Sequence, residues 1–473
     1  MNIAALSAAL IAAAGPTATE VTIYNQGFGL VKEVRSIDFR QGRQNVAVED
    51  VAAQIQPDSV GFRSLSNPKG LTVLEQNYQF DLISTQAILN KSVGKRVRIT
   101  RAVGDKMEAL EGVLLSAPTA ITPNQFGGSG YTYNGLVIKT DDGQIVLDPK
   151  GEISVKEVPE GLISRPTLLW DVIADQAGTN QVELSYVTNG IRWDAAYVLT
   201  LQDSGLKADL QGWVTVDNQS GASYNEAKMK LLAGDVNVAP QGGGLGGGGA
   251  YDALRKSAAP GFQEQSLFEY HLYTLQRPAT IRNREIKQLS LLEGHDIKVQ
   301  KKLVLDSLKD YGVYYPNEGE VGTGAMSPQV RVEFTNTKEN GLGMPLPAGK
   351  FKVYQRDAEG SVQMLGEDRI RHTPRNENLS ILVGKSFDTV AGRKRTNFER
   401  LGVNWYRETF EIELRNRKEV PETVTVYERH WGDWKVTQTS EPFTKADANT
   451  MQYVANLKAN EVRTIKYTVE TRW

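Results

Sequence analysis

Seven stretches of this chain alternate apolar and polar residues with a period of two. Val182-x-Leu184-x-Tyr186, Val330-x-Val332-x-Phe334, Phe410-x-Ile412-x-Leu414, Val424-x-Val426 and Ile465-x-Tyr467-x-Val469 are the clearest, with Val214-x-Val216 and Ile297-x-Val299 beside them. That period sends one set of side chains into a core and the other into solvent, which is the pattern of half-buried antiparallel strands. The predicted fold is all-β and multidomain: antiparallel β-sandwiches with an inserted small SH3/Sm-like β-barrel.

A chain of 473 residues exceeds what one hydrophobic core can organise, so roughly two to four domains are expected. The charge is balanced, 54 basic against 56 acidic residues, with no long run of either sign. Nothing therefore points to nucleic acid as a partner. Cysteine is absent, which excludes disulfides, thiolate metal sites and cysteine nucleophiles.

Residues 3–14 form an apolar, alanine-rich run, the length of a signal-peptide core and short of the ~20 residues a spanning helix needs. Ala12-Ala13-Ala14 fits the small-x-small cleavage rule, and Ala18 offers a second cut. No Lys or Arg precedes the run. The expectation is an export signal over 1–18, a mature start between Ala13 and Val21, and a periplasmic, cell-surface or secreted protein.

Turn residues divide the rest. Residues 19–90 read as short strands ending in a helix near 80–90. Residues 91–158 read as the small barrel, with Asp141-Asp142-Gly143 as a hairpin turn. A central sandwich is expected over 159–335, where Asn189-Gly190 reads as a second hairpin. The glycine-rich stretch 241–266 should interrupt it as a mobile loop, since glycine has no side chain to bury and the most backbone entropy to lose. No Gly-Lys-Ser/Thr follows that stretch, so it is not a phosphate loop. Residues 267–275 read as one apolar-aromatic strand, and 336–473 as a C-terminal sandwich.

The run Leu-Phe-Glu-Tyr-His-Leu-Tyr-Thr-Leu-Gln-Arg-Pro at 267–278 resembles the bacterial family called domain of unknown function 4139. So do Gly190-Ile191-Arg192-Trp193-Asp194-Ala195-Ala196-Tyr197, the stretches 212–221 and 233–237, the Gly343–Lys350 loop, and Gly366-Glu367-Asp368. The Thr22-Ile23-Tyr24-Asn25 start is similar to that of mucoidy inhibitor A-like proteins. The resemblance implies an exported, β-rich protein of the cell envelope. It brings no cofactor or catalytic residue with it.

Two clusters carry chemistry. Glu367, Asp368 and His372 combine two carboxylates with a histidine, a general-acid/base or metal set if the three converge and ordinary charged strand ends if they do not. The second is His430-Trp431-Gly432-Asp433-Trp434. Read as a two-residue hairpin, it places Trp431 and Trp434 opposite each other as a cross-strand brace. Read as a ligand-binding tip, it exposes Trp431 and Trp434 for stacking, with Asp433 as a hydrogen-bond acceptor. The remaining histidines, His271 and His295, show no metal-ligand spacing; His271 is expected to be packed or hydrogen-bonded. No metal or cofactor is expected.

The sequence thus predicts an exported, non-catalytic binding or structural module of the envelope, with an envelope protein or a polysaccharide as partner. The alternative is an envelope hydrolase acting on polysaccharide or peptide through carboxylates that the fold brings together.

Overall fold

The computed structural model describes residues 10–79, 81–103, 106–116, 119–123, 129–133, 135–160, 162–202, 205–234, 236–237, 262–309 and 314–473. The described chain is nearly all strand, with one α-helix, Thr85–Lys91, capped by the Ser84 side chain. No described helix is long and apolar enough to cross a membrane. Most of the glycine-rich stretch lies outside the described residues. Its last residues, 262–266, begin the strand Phe262–Leu267 instead of continuing a loop, because they pair with Tyr270–Leu275. The predicted single strand over 267–275 is therefore a hairpin that turns at Phe268, where φ is +56°.

The N-terminal and central parts share one core. An eight-stranded sheet (centred on Ala18–Tyr24, Phe28–Phe39 and Gly178–Asn189), a four-stranded sheet and a five-stranded sheet all contribute to it. The five-stranded sheet runs in the order Glu285–Lys298, Lys207–Asn218, Ile191–Leu201, Gly349–Arg356, Val362–Ile370. Its inner face buries Trp193, Tyr197 and Phe351, and Tyr197 stacks on Phe351 at 4.6 Å between ring centroids. Leu10–Ala12, within the predicted export signal, lies parallel to Gly42–Glu49, and the Ala14 carbonyl accepts from Arg35 Nη1.

A six-stranded sheet (Asn378–Lys385, Gln329–Thr335, Gln300–Asp306, Glu422–Arg429, Thr450–Leu457, Thr444–Lys445) spans both this core and a second one. Val332, Phe334, Leu379 and Ile381 of its first two strands join the first core. Its other strands form the second core against another sheet of five strands (Gly324–Met326, Thr389–Gly402, Trp405–Asn416, Val462–Arg472, Asp433–Thr439). The chain crosses between the central and six-stranded sheets on both sides of residue 335. Gln300–Asp306 and Gln329–Thr335 belong to the six-stranded sheet, whereas Gly349–Arg356 and Val362–Ile370 return to the central one.

Three expectations change. Among the described residues of 91–158, Thr119–Pro123 pairs separately with Ser129–Tyr133, and five other antiparallel strands pack around Val97, Ile99, Leu114 and Ile138 as an open sheet and not a closed barrel. Its edge strands, Ile145–Leu147 and Glu152–Val155, span three and four residues, too short to tilt around and meet. Second, four strand pairs among the described residues are parallel, including Ile191–Leu201 with Gly349–Arg356 and Gln300–Asp306 with Glu422–Arg429. Third, Asn189-Gly190 is not a hairpin turn: the strand before it belongs to the eight-stranded sheet and the strand after it to the central one. Asp141-Asp142-Gly143 does close a hairpin.

Candidate functional site

Glu367 and Asp368 are neighbours on one strand, so they point to opposite faces of the sheet. Glu367 faces outward and pairs with Lys350 Nζ at 3.0 Å. The Lys350 ammonium, with Lys352 and Arg369 close by, holds the Glu367 carboxyl below the usual range. Asp368 Oδ2 accepts from the Leu382 backbone N–H at 2.7 Å, tying the central sheet to the six-stranded one. His372 is exposed, and its Nδ1 accepts from the Ala348 N–H at 3.1 Å. The three groups do not converge. Among the described residues, no group of three or more His, Asp and Glu is placed to hold a metal ion.

The tryptophan cluster is not a hairpin. Glu422–Arg429 pairs in the six-stranded sheet and Asp433–Thr439 in the facing one, so residues 430–432 carry the chain across the core. Gly432, at φ +80°, makes the crossing; a Cβ there would meet the Arg472 carbonyl at 2.7 Å. Trp434 is buried, donates from Nε1 to the Ala448 carbonyl at 2.9 Å and carries Lys445 Nζ over its ring at 4.1 Å. Trp431 is half-buried and Asp433 exposed. Trp434 braces the core, but its aromatic neighbour is His430, at 5.4 Å between centroids. His271 Nδ1 lies 2.8 Å from Glu264 Oε1, and Arg375 Nη2 takes the other carboxylate oxygen at 2.6 Å.

The C-terminal core holds a polar group that the sequence did not reveal. Arg393 donates from Nε and Nη2 to Glu428, and Tyr467 Oη donates to the same carboxylate at 2.5 Å. Beside it, Arg395 and Tyr314 both donate to Glu408. The cluster is enclosed, with Glu408 Oε1 taking both donors and Oε2 left unpaired among the described residues, and both arginines also hold carbonyls of the segment 317–322. This is an architectural clamp. On the outer face of the six-stranded sheet, a groove of about 370 Å³ is lined by Lys302, Asp306, Arg331, Glu333 and Arg429. Four of these charges are matched to one another, Arg429 with Asp306 at 2.7 Å and Lys302 with Glu333 at 3.5 Å, and Arg331 is held by Ser380 and Gln329.

The outer face of the central sheet is different. Residues opposite each other in neighbouring strands share a face, so its side chains can be read off the register in rows. One row runs Ser290, Trp213, Ala196, Lys350, Arg369. The next runs Gln211, Val198, Lys352, Glu367, and a third runs Asp209, Thr200, Tyr354, Met364. Ala196, Val198 and Thr200, on the middle strand, remain only half-buried, so no described element covers them. Met364 is 50% exposed. A half-buried indole and phenol thus share an open face with a cationic border. The signal for this face was legible as the off-phase residues: Trp213 precedes Val214-x-Val216, and Lys350-x-Lys352-x-Tyr354 alternates with Phe351 and Val353.

No family profile matches the chain, and no characterised protein matches it in sequence.

Proposed function

We propose that this protein is an exported, non-catalytic binding or structural module of the bacterial cell envelope, and that it binds through the outer face of its central sheet. The observation that supports this reading is the row from Trp213 across Ala196 to Lys350 and Arg369. It sets a half-buried aromatic ring on the same face as the cations, two strands from Lys350, on a five-stranded support. Aromatic side chains with one apolar face and a polar surround are the usual anchors of recognition surfaces. The apolar run at 3–14 and its small-residue cleavage pattern support export.

Two measurements test the reading. Trp213→Ala should abolish co-sedimentation of the purified protein with isolated envelope fractions while leaving its melting temperature within a few degrees of wild type. Unchanged co-sedimentation would remove the face from consideration. N-terminal mass spectrometry of protein from its native host should find a start between Ala13 and Val21; an intact Met1 on the folded protein would reject export.

A further inference from the structure

The cationic half of the central sheet's outer face selects the ligand. We infer that this face binds an acidic polysaccharide, a polymer of sugar rings bearing carboxylates. The inference rests on the reading of the face as a binding surface.

Uncompensated positive charge is concentrated on two strands of the sheet. The two adjacent strands Gly349–Arg356 and Val362–Ile370 present Lys350, Lys352, Arg356 and Arg369 outward against the single carboxylate of Glu367. On the other strands the outward acids Asp194, Asp209 and Asp217 are offset by the outward cations Arg192 and Lys207, with Arg192 paired to Asp217 at 3.3 Å. Glu367 neutralises one cation directly, Lys350, which leaves an excess of positive charge along the border. Lys350 and Lys352 are about 7 Å apart along their strand, and Arg369 is one strand, about 5 Å, from Lys350. A series of cations at that spacing on an open surface suits charges repeated along a polymer. A single small anion would call for a concave site that encloses it.

The neighbouring side chains favour sugar over peptide. Trp213 is flanked across the strands by Ser290 and Ala196, both small, which leaves the indole free to meet an apolar ring face. Gln211, Thr200 and Tyr354 supply amide and hydroxyl groups suited to ring hydroxyls. An acidic peptide binds most readily by adding a strand at a sheet edge. The strands that carry Trp213, Lys350 and Lys352 are each flanked on both sides, so their backbone groups are already used. This face offers side chains only.

The test uses the full chain and four polymers: polygalacturonate, neutral dextran, poly-glutamate and single-stranded DNA. Polygalacturonate should bind, weakening at least tenfold when salt is raised from low to physiological strength and beyond, while dextran should bind far more weakly. Lys350→Ala/Lys352→Ala should lose at least tenfold in affinity for polygalacturonate, Lys352→Arg should retain it, and Trp213→Ala should also lose tenfold, all at melting temperatures close to wild type. Preferential binding of poly-glutamate or DNA would overturn the inference in favour of an acidic peptide or nucleic acid. Dextran binding that depends on Trp213 and ignores the lysines would keep the face and overturn the acidic ligand. Polygalacturonate binding that survives all the variants would overturn both the inference and the assignment of the face. Absence of binding to all four polymers overturns the inference alone, because the envelope co-sedimentation of Trp213→Ala judges the face separately.

Discussion

Arg393 and Glu428 reach into the C-terminal core from opposite sheets and meet there, Nη2 to Oε2 at 2.8 Å, with each side chain 1% exposed. The guanidinium also lies over the Phe410 ring at 3.9 Å. Burying both charges costs desolvation free energy, and the pair's worth depends on every hydrogen bond being made.

Breaking one half of that pair should therefore be severe. Glu428→Gln is expected to cost about 3–5 kcal/mol, because it leaves the Arg393 charge buried and unmatched. The apolar double variant Arg393→Met/Glu428→Leu should cost less than either single change, since it removes both desolvation penalties. Urea denaturation of Glu428→Gln, of the double variant and of its two component single variants measures both.

His430 sets a pH dependence. The side chain is buried beside Trp434 and Tyr467, and burial, reinforced by the nearby Arg393 charge, lowers its pKa to about 3. The unfolded chain takes up a proton near the ordinary value of about 6.5 and the folded protein does not. Stability contributed by the neutral ring is thus present above about pH 6.5 and is lost as pH falls towards 3, by about 1.4 kcal/mol per pH unit. Between pH 7 and 4.5, wild type should lose about 2–3 kcal/mol more than His430→Asn, measured by urea unfolding at both pH values.

Trp434 should prove architectural. Its loss removes a buried ring, the hydrogen bond to Ala448 and the contact with Lys445, so Trp434→Ala is expected to cost about 3–5 kcal/mol. Trp431→Ala should cost about 1 kcal/mol or less, because that ring is only half-buried. Acrylamide should quench Trp431 more readily than Trp434 in single-tryptophan comparisons.

The junction between the central and six-stranded sheets is equally intolerant. A Cβ on Gly366 would run into the Val383 carbonyl, where the central and six-stranded sheets abut. Gly366→Ala should cost at least about 2 kcal/mol through backbone displacement. Gly384→Ala, with open space around the added methyl, should stay within about 1 kcal/mol. Thermal melts of the two variants separate a steric junction from a general effect of replacing glycine.

Alternation of apolar and polar residues was enough to establish an all-β protein, because the period of two follows from strand geometry alone. It also assigned faces: Val214 and Val216 go inward, so Trp213 must go outward, whatever the topology. Turn chemistry was legible in the same local way, and Asp141-Asp142-Gly143 closes the hairpin it announces. What local sequence could not decide was whether the chain stays in its sheet after a turn. Asn189-Gly190 and Gly432-Asp433 carry the residues of hairpins, yet both send the chain to the opposite sheet. There, long strands found better partners elsewhere: Ile191–Leu201 lies between Lys207–Asn218 and Gly349–Arg356, and Asp433–Thr439 beside Val462–Arg472. Pairing between segments more than a hundred residues apart is settled by which inner faces complete a core together, a property of the assembled sheets that no window of sequence contains. Strand alternation already separates Glu367 from Asp368, whereas long-range pairing gathers Trp213, Lys350 and Arg369 on one open face.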